Sequence, residues 1–172
     1  MGHIHTQPGQ HDLTVSAFIV RDGRVLLHRH KTMGVLMQPG GHVELDEDPW
    51  QALAHEVAEE TGYAFPQLRV LQPSVRLRRL DGVTLHPQPA CVTTHEVASA
   101  PGHFHTDLVY AFVTDELPRD TPSPGESSEL RWVDRAALAA LGPGEIFTNV
   151  REIGLYVLDE IFGAWAPVQN DL

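Results

Sequence analysis

Glu56, Glu59 and Glu60 stand at positions i, i+3 and i+4 of the chain. On a helix advancing about 100° per residue they share an arc of roughly 100°. Like charges at that spacing destabilise an isolated helix, so something must compensate for them. Hard oxygen ligands gathered in this way suit Mg²⁺ or Mn²⁺, which take carboxylates together with the phosphate oxygens of a substrate. The plain alternative is an acidic face turned to water. The neighbours favour the metal. Gly40-Gly41 lies just upstream, where a bare backbone can approach a ligand closely. Ala52 is expected on the acidic face, too small to block access to the carboxylates.

These acids need a helix and a platform. Asp48-Pro49 reads as a helix start, with Asp48 as N-cap and Pro49 at the first helical position. The helix is expected to run to about Thr61, with Gly62 as its stop. Trp50, Leu53 and Val57 lie on the adjoining arc and would hold it against a sheet. Upstream, Leu13 to Val20, the Asp22-Gly23 turn and Arg24 to His30 read as a β-hairpin. Val35 to Met37 reads as a short strand. Downstream, strands are expected over Leu68 to Leu80, Ala90 to Val97, Asp107 to Thr114 and Glu129 to Val133. Residues 115 to 128 form a Pro/Ser/Glu loop. Asp134 is expected to cap a small helix through Leu141, and Thr148 or Asn149 a last helix to about Phe162. Hairpins mixed with helices predict an α/β protein, a mixed sheet with helices packed on it.

Composition narrows the partners. At 172 residues the natural expectation is one domain. We place it at 13–166, between a flexible N-terminal tail at 1–12 and a C-terminal tail at 167–172. The net charge is −11, from 12 Lys and Arg against 23 Asp and Glu. That argues against nucleic acid as a partner, which needs a basic footprint. Arg76 and Arg78 would share one face of a strand, more simply an exposed face than a binding patch. An acidic protein can still take an anionic substrate if a metal ion supplies the positive charge. No apolar run is long enough for a membrane span, and the polar start lacks a signal-peptide core, so a cytoplasmic protein is expected. His3 and His5 receive no function. The single Cys91 excludes an internal disulfide and reads as a small core residue.

From Gly41 to Tyr63 the sequence GHVELDEDPWQALAHEVAEETGY resembles the box of the Nudix hydrolases, G-x5-E-x7-R-E-U-x-E-E-x-G-U, with U a bulky apolar residue. Gly41, Glu47, Glu56, Glu59, Glu60 and Gly62 occupy their places. By average residue usage, six such matches arise in roughly 10⁻⁵ of chains this long. The surrounding elements also look like the family's domain. Two positions depart from the box: His55 replaces the arginine, and Tyr63 takes the last apolar place. The resemblance implies an α/β/α sandwich around a mixed β-sheet. It implies hydrolysis of a nucleoside diphosphate linked to another moiety, with Mg²⁺ or Mn²⁺. It also allows a homodimer. Mapped onto this chain, Glu56, Glu59 and Glu60 look like metal ligands, aided by the Gly40 carbonyl. Gly41, Glu47, His55 and Gly62 look structural, with His55 expected to pair with Glu47 where the family has arginine. For the general base we favour Glu59, with Glu126 in the later loop as the alternative.

Weaker signals lie outside the box. In an extended chain His103, His105 and Asp107 point to one face, where they could ligate a metal, contact substrate phosphates, or form a solvated strand edge. Similar His-x-His-x-Asp stretches occur in bacterial Nudix proteins that enter the box through a like Leu-Met-Gln-Pro-Gly-Gly-His-Val-Glu run. His30 ends a strand where family members often have a basic residue near the phosphates. His42 is read as shaping the loop, and Trp132 and Trp165 as core. Two rival functions remain. One is a nucleotide-sensing binding protein without turnover, although such proteins commonly lose box glutamates. The other is an isomerase of allylic diphosphates, which would need Cys91 over the metal site.

Overall fold

The computed structural model describes residues 9–97 and 100–170. Its strands are β1 (His11–Arg21), β2 (Arg24–Arg29), β3 (Leu36–Met37), β4 (Gly40–His42), β5 (Arg69–Gln72), β6 (Cys91–Glu96), β7 (Phe104–Val113), β8 (Leu130–Asp134) and β9 (Ala166–Gln169). The helices are α1 (Pro49–Thr61), α2 (Arg135–Ala140) and α3 (Thr148–Tyr156), the last continuing through a π-type turn at Val157–Ile161. The sheet is mixed. Its main path runs β3-β2-β1-β7-β5-β9, while β4 pairs with β1, β6 with β7 and β8 with β2. The β1–β7 pair is parallel, from His11↔Phe104 to Val20↔Val113.

β1 is buried on both faces, which explains its nearly unbroken apolar run. Val15, Ala17 and Ile19 pack with Trp50, Leu53 and Val57 of α1. Phe18 and Val20 pack with Leu138, Val150, Val157 and Ile161 on the other face. Helices thus cover both faces of one mixed sheet, the α/β/α architecture expected. Among the described residues no helix is long and apolar enough to cross a membrane.

The sheet differs from expectation at its margins. His11 and Asp12, assigned to the flexible tail, begin β1, because the parallel register with β7 extends to them. Residues 1–8 of that tail lie outside the described residues. Likewise Pro167, Val168 and Gln169 belong to β9, paired with β5, rather than to a C-terminal tail; residues 171–172 are not described. The strand expected over Leu68 to Leu80 stops at Gln72. Pro73 lacks an N–H for the ladder, and Arg76 donates instead to the Pro73 carbonyl. Arg76 and Arg78 therefore share no strand face. The last helix is preceded by Phe147 rather than capped by Thr148 or Asn149.

Candidate active site

α1 forms where its caps dictate. The Asp48 carboxylate accepts from the N–H groups of Trp50 (2.8 Å) and Gln51 (2.9 Å), and Gln51 accepts from the Asp48 N–H (2.9 Å). At the other end Gly62 takes the left-handed φ of 74° and donates to the Ala58 carbonyl. Between them the face bearing Ala52, Glu56 and Glu60 turns inward over the sheet. Ala52 is wholly buried in the core rather than lining an open acidic surface.

Glu60 is 8% exposed, and its Oε2 accepts from the Gly40 N–H at 2.8 Å. The Glu56 carboxylate lies against Gly41, where a Cβ would collide with it. The carboxylate occupies the space that a side chain at position 41 would take, a reason for glycine here beyond turn geometry. Burial, foremost, and the neighbouring Glu56, Glu126 and Glu59 push the Glu60 carboxyl up to about 8, against the Gly40 hydrogen bond that favours its ionised form. His28 Nε2 lies 3.6 Å from Glu60 Oε2, too far for a good hydrogen bond. Burial and His30 push that imidazole down to about 4, so the contact is not an ion pair near neutrality. Glu60 thus shares its surroundings with the carboxylates of Glu56, Glu59 and Glu126. Carboxylate oxygens gathered in this way fit a hard divalent cation.

The loop at 115–128 closes onto this helix. Asp120 N–H donates to the Gly62 carbonyl (3.0 Å) and Ser123 N–H to the Glu59 carbonyl (2.7 Å). A Cβ on Gly62 would strike the Asp120 backbone. These contacts bring Glu126 into the field of Glu60. Tyr63 is buried and its hydroxyl donates to the Glu116 carbonyl at 2.9 Å, so the bulky substitute also anchors the loop.

The expected His55–Glu47 pair is replaced by two others. His55 Nε2 lies 3.3 Å from Glu59 Oε1, one helical turn on, with both side chains half exposed. Glu47 Oε1 accepts from the Glu44 N–H at 3.0 Å, stiffening the box loop from within. The i,i+4 spacing on α1 makes Glu59 the nearer partner of His55.

His103, His105 and Asp107 do not act as one set. Asp107 is buried and accepts from Ser16 Oγ (2.7 Å) and Thr14 Oγ1 (3.1 Å) of β1. Burial raises its pKa against those bonds. His103 and His105 instead meet Asp12 and His42. Burial and the neighbouring His42, His103 and His95 push His105 down to about 4. β7 lies between β1 and β6, not at a solvated edge. His30 Nδ1 accepts from the Met33 N–H at 3.3 Å, so this ring braces the turn after β2 while its edge meets His28. Cys91 is half-buried against the core on the face away from α1. Burial raises its thiol pKa, and it is not placed over the box glutamates. Asp12, His28 and His42 escaped assignment as site residues. A signal for His42 was available in its position directly after Gly40-Gly41.

A family model described as the NUDIX domain matches residues 10–150. A hydrolase of the NUDIX family from Clostridium perfringens has the same fold with a TM-score of 0.69 at 29% identity, over 86% of this chain and 96% of that one. A MutT NUDIX hydrolase from Burkholderia pseudomallei superposes with a TM-score of 0.55 at 26% identity, over 85% of this chain and 96% of its own. A MutT-like protein of Streptomyces ambofaciens is 47% identical over 58 residues, 33% of this chain and 38% of that relative's length. With a family model covering most of its length and these likenesses in fold, the chain belongs to the NUDIX family.

Proposed function

We propose that this protein is a divalent-metal-dependent pyrophosphohydrolase that cleaves the diphosphate linkage of a nucleoside diphosphate joined to another moiety. The observation that carries the reading is the buried Glu60 carboxyl, fixed by Gly40 and faced by Glu56, Glu59 and Glu126. An acidic cluster half inside the protein needs a cation to be ionised together. Glu56, Glu59 and Glu60 would hold Mg²⁺ or Mn²⁺ with the Gly40 carbonyl. When bound, the ion neutralises charge on the diphosphate and lowers the pKa of a water. Glu59, or Glu126 across the docked loop, takes the proton of the attacking water. His30, beside His28, is proposed to contact substrate phosphate.

The test is a screen of nucleoside triphosphates, nucleotide sugars, dinucleotides and ADP-ribose with Mg²⁺ and with Mn²⁺. We expect at least one substrate to turn over only with added metal. Turnover that persists undiminished in excess EDTA would overturn the metal mechanism.

A further inference from the structure

We infer that Asp12, His42, His103 and His105 form a second metal site, for a divalent transition-metal ion of the zinc type, on the sheet face opposite α1.

One ligand atom from each of the four residues lies within 4.8 Å of all the others. His103 Nε2 is 3.2 Å from Asp12 Oδ2. His42 Nε2 is 3.6 Å from that same oxygen and 3.2 Å from His105 Nε2. Four ligands about 2.0–2.1 Å from a tetrahedral ion stand about 3.3 Å from one another. Those three separations bracket that value, and the set as a whole stays within 4.8 Å. A cluster of three imidazole nitrogens and one carboxylate oxygen is a donor set for zinc and its neighbours, whereas Mg²⁺ takes oxygen ligands.

The backbone holds the four in place. Asp12 lies on β1, opposite His105 in the parallel register. His42 on β4 faces Thr14 in the antiparallel one. The His103 carbonyl accepts from Val97 N–H at 2.9 Å and its N–H donates to Ala100 at 3.0 Å, which fixes the turn into β7. Asp12 and His103 are buried, while His42 and His105 are partly open to solvent. An ion could therefore enter from the side of the latter two.

The site is separate from the box. Side chains alternate across a strand. Val15, which faces α1, is opposite Gly41, against which Glu56 packs. Asp12, His42 and His105 have the other parity. Yet His42 directly follows Gly41, so the two sites share β4. An ion here would clamp β4 to β1 and β7 and steady the Gly40-Gly41 backbone that receives Glu60 and Glu56.

The full-length protein, stripped by a chelator, is titrated with Zn²⁺ by calorimetry in excess Mg²⁺, and with Co²⁺ by visible absorption. We expect one Zn²⁺ per chain and an intense Co²⁺ spectrum of tetrahedral type. His105→Ala and His42→Ala should each weaken Zn²⁺ binding by at least about 10²-fold, more than loss of an outer-shell partner. Glu60→Gln should leave the spectrum intact. Circular dichroism checks that each variant folds. The wild-type titration decides even where a variant does not fold: no Zn²⁺ uptake in excess Mg²⁺ overturns the site. Uptake that survives His105→Ala, or is lost with Glu60→Gln, overturns it as well.

Discussion

Glu60 accepts a hydrogen bond from the backbone N–H of Gly40 at 2.8 Å, across twenty residues of sequence. It ties the last box glutamate to the strand before the helix and holds a carboxyl where water cannot stabilise its charge. The folded-state pKa is raised to about 8, above the ordinary 4.5. Stability from this group is therefore fully present below about 4.5 and is lost as pH rises through about 8. In the metal-free protein Glu60→Gln removes that loss. We predict that the variant melts above wild type at pH 8, by on the order of 1 kcal/mol or more, and that the gap closes toward pH 4.5. Thermal denaturation in EDTA across that range checks it. A gap that stays constant with pH would contradict the assignment.

Binding a cation needs Glu60 ionised, which reverses the direction of its shift. Below about 8 the metal-free carboxyl holds a proton. Mg²⁺ binding at pH 7 should therefore release close to one proton, and apparent affinity should climb with pH until about 8. Calorimetry in two buffers of different ionisation enthalpy measures that release. Binding with no proton release would show that Glu60 is not the ligand that changes state.

Gly41→Ala inserts a methyl into the space occupied by the Glu56 carboxylate. The carboxylate is the end of a flexible chain, so the fold should survive while Glu56 is displaced. We expect the Mg²⁺ concentration for half-maximal rate to rise by about tenfold or more, the scale of one charge-assisted contact. Gly62→Ala, where both φ and the Asp120 backbone oppose a side chain, should instead lower global stability by on the order of 2 kcal/mol. Equal effects on Mg²⁺ dependence from both variants would contradict the distinction.

The half-exposed His55–Glu59 contact is worth little. His55→Ala should shift stability by less than about 0.5 kcal/mol, measured by urea unfolding. The base is separated by a different pair. Glu59→Gln and Glu126→Gln are compared at saturating Mg²⁺, and the larger fall in kcat is expected for Glu59. A larger fall for Glu126 would move the proton transfer to the loop.

Much of this was legible in the sequence because it is local. Asp48-Pro49 and Gly62 bound α1 as their caps require, and the Asp22-Gly23 turn joins the first two strands. What was missed depends on contacts distant in sequence. Pairing of β1 with β7 draws Asp12 out of the expected tail and beside His103, some ninety residues away, and no local pattern signals it. Asp107 keeps the alternation with His105 but is claimed by Ser16 and Thr14 on the neighbouring strand. Glu47 and His55 have box spacing, yet the choice of partner for His55 was settled by one turn of helix. Trp50, Leu53 and Val57 meet the sheet as their periodicity implies. Box spacing could not reveal that Glu60 is buried against Gly40 while Glu59 stays half exposed, since that depends on where β4 lies beside the helix.

The central claim is that the box glutamates hold a cation that drives diphosphate cleavage. The most direct measurement is product release by wild type and Glu60→Gln on the best substrate of the screen, with Mg²⁺ and with EDTA. The account predicts turnover by wild type with Mg²⁺, none in EDTA, and a fall of at least about 10²-fold in Glu60→Gln with its fold intact. Nucleotide binding without turnover across the whole screen would contradict it in favour of a sensing protein, and undiminished turnover by Glu60→Gln would contradict the site.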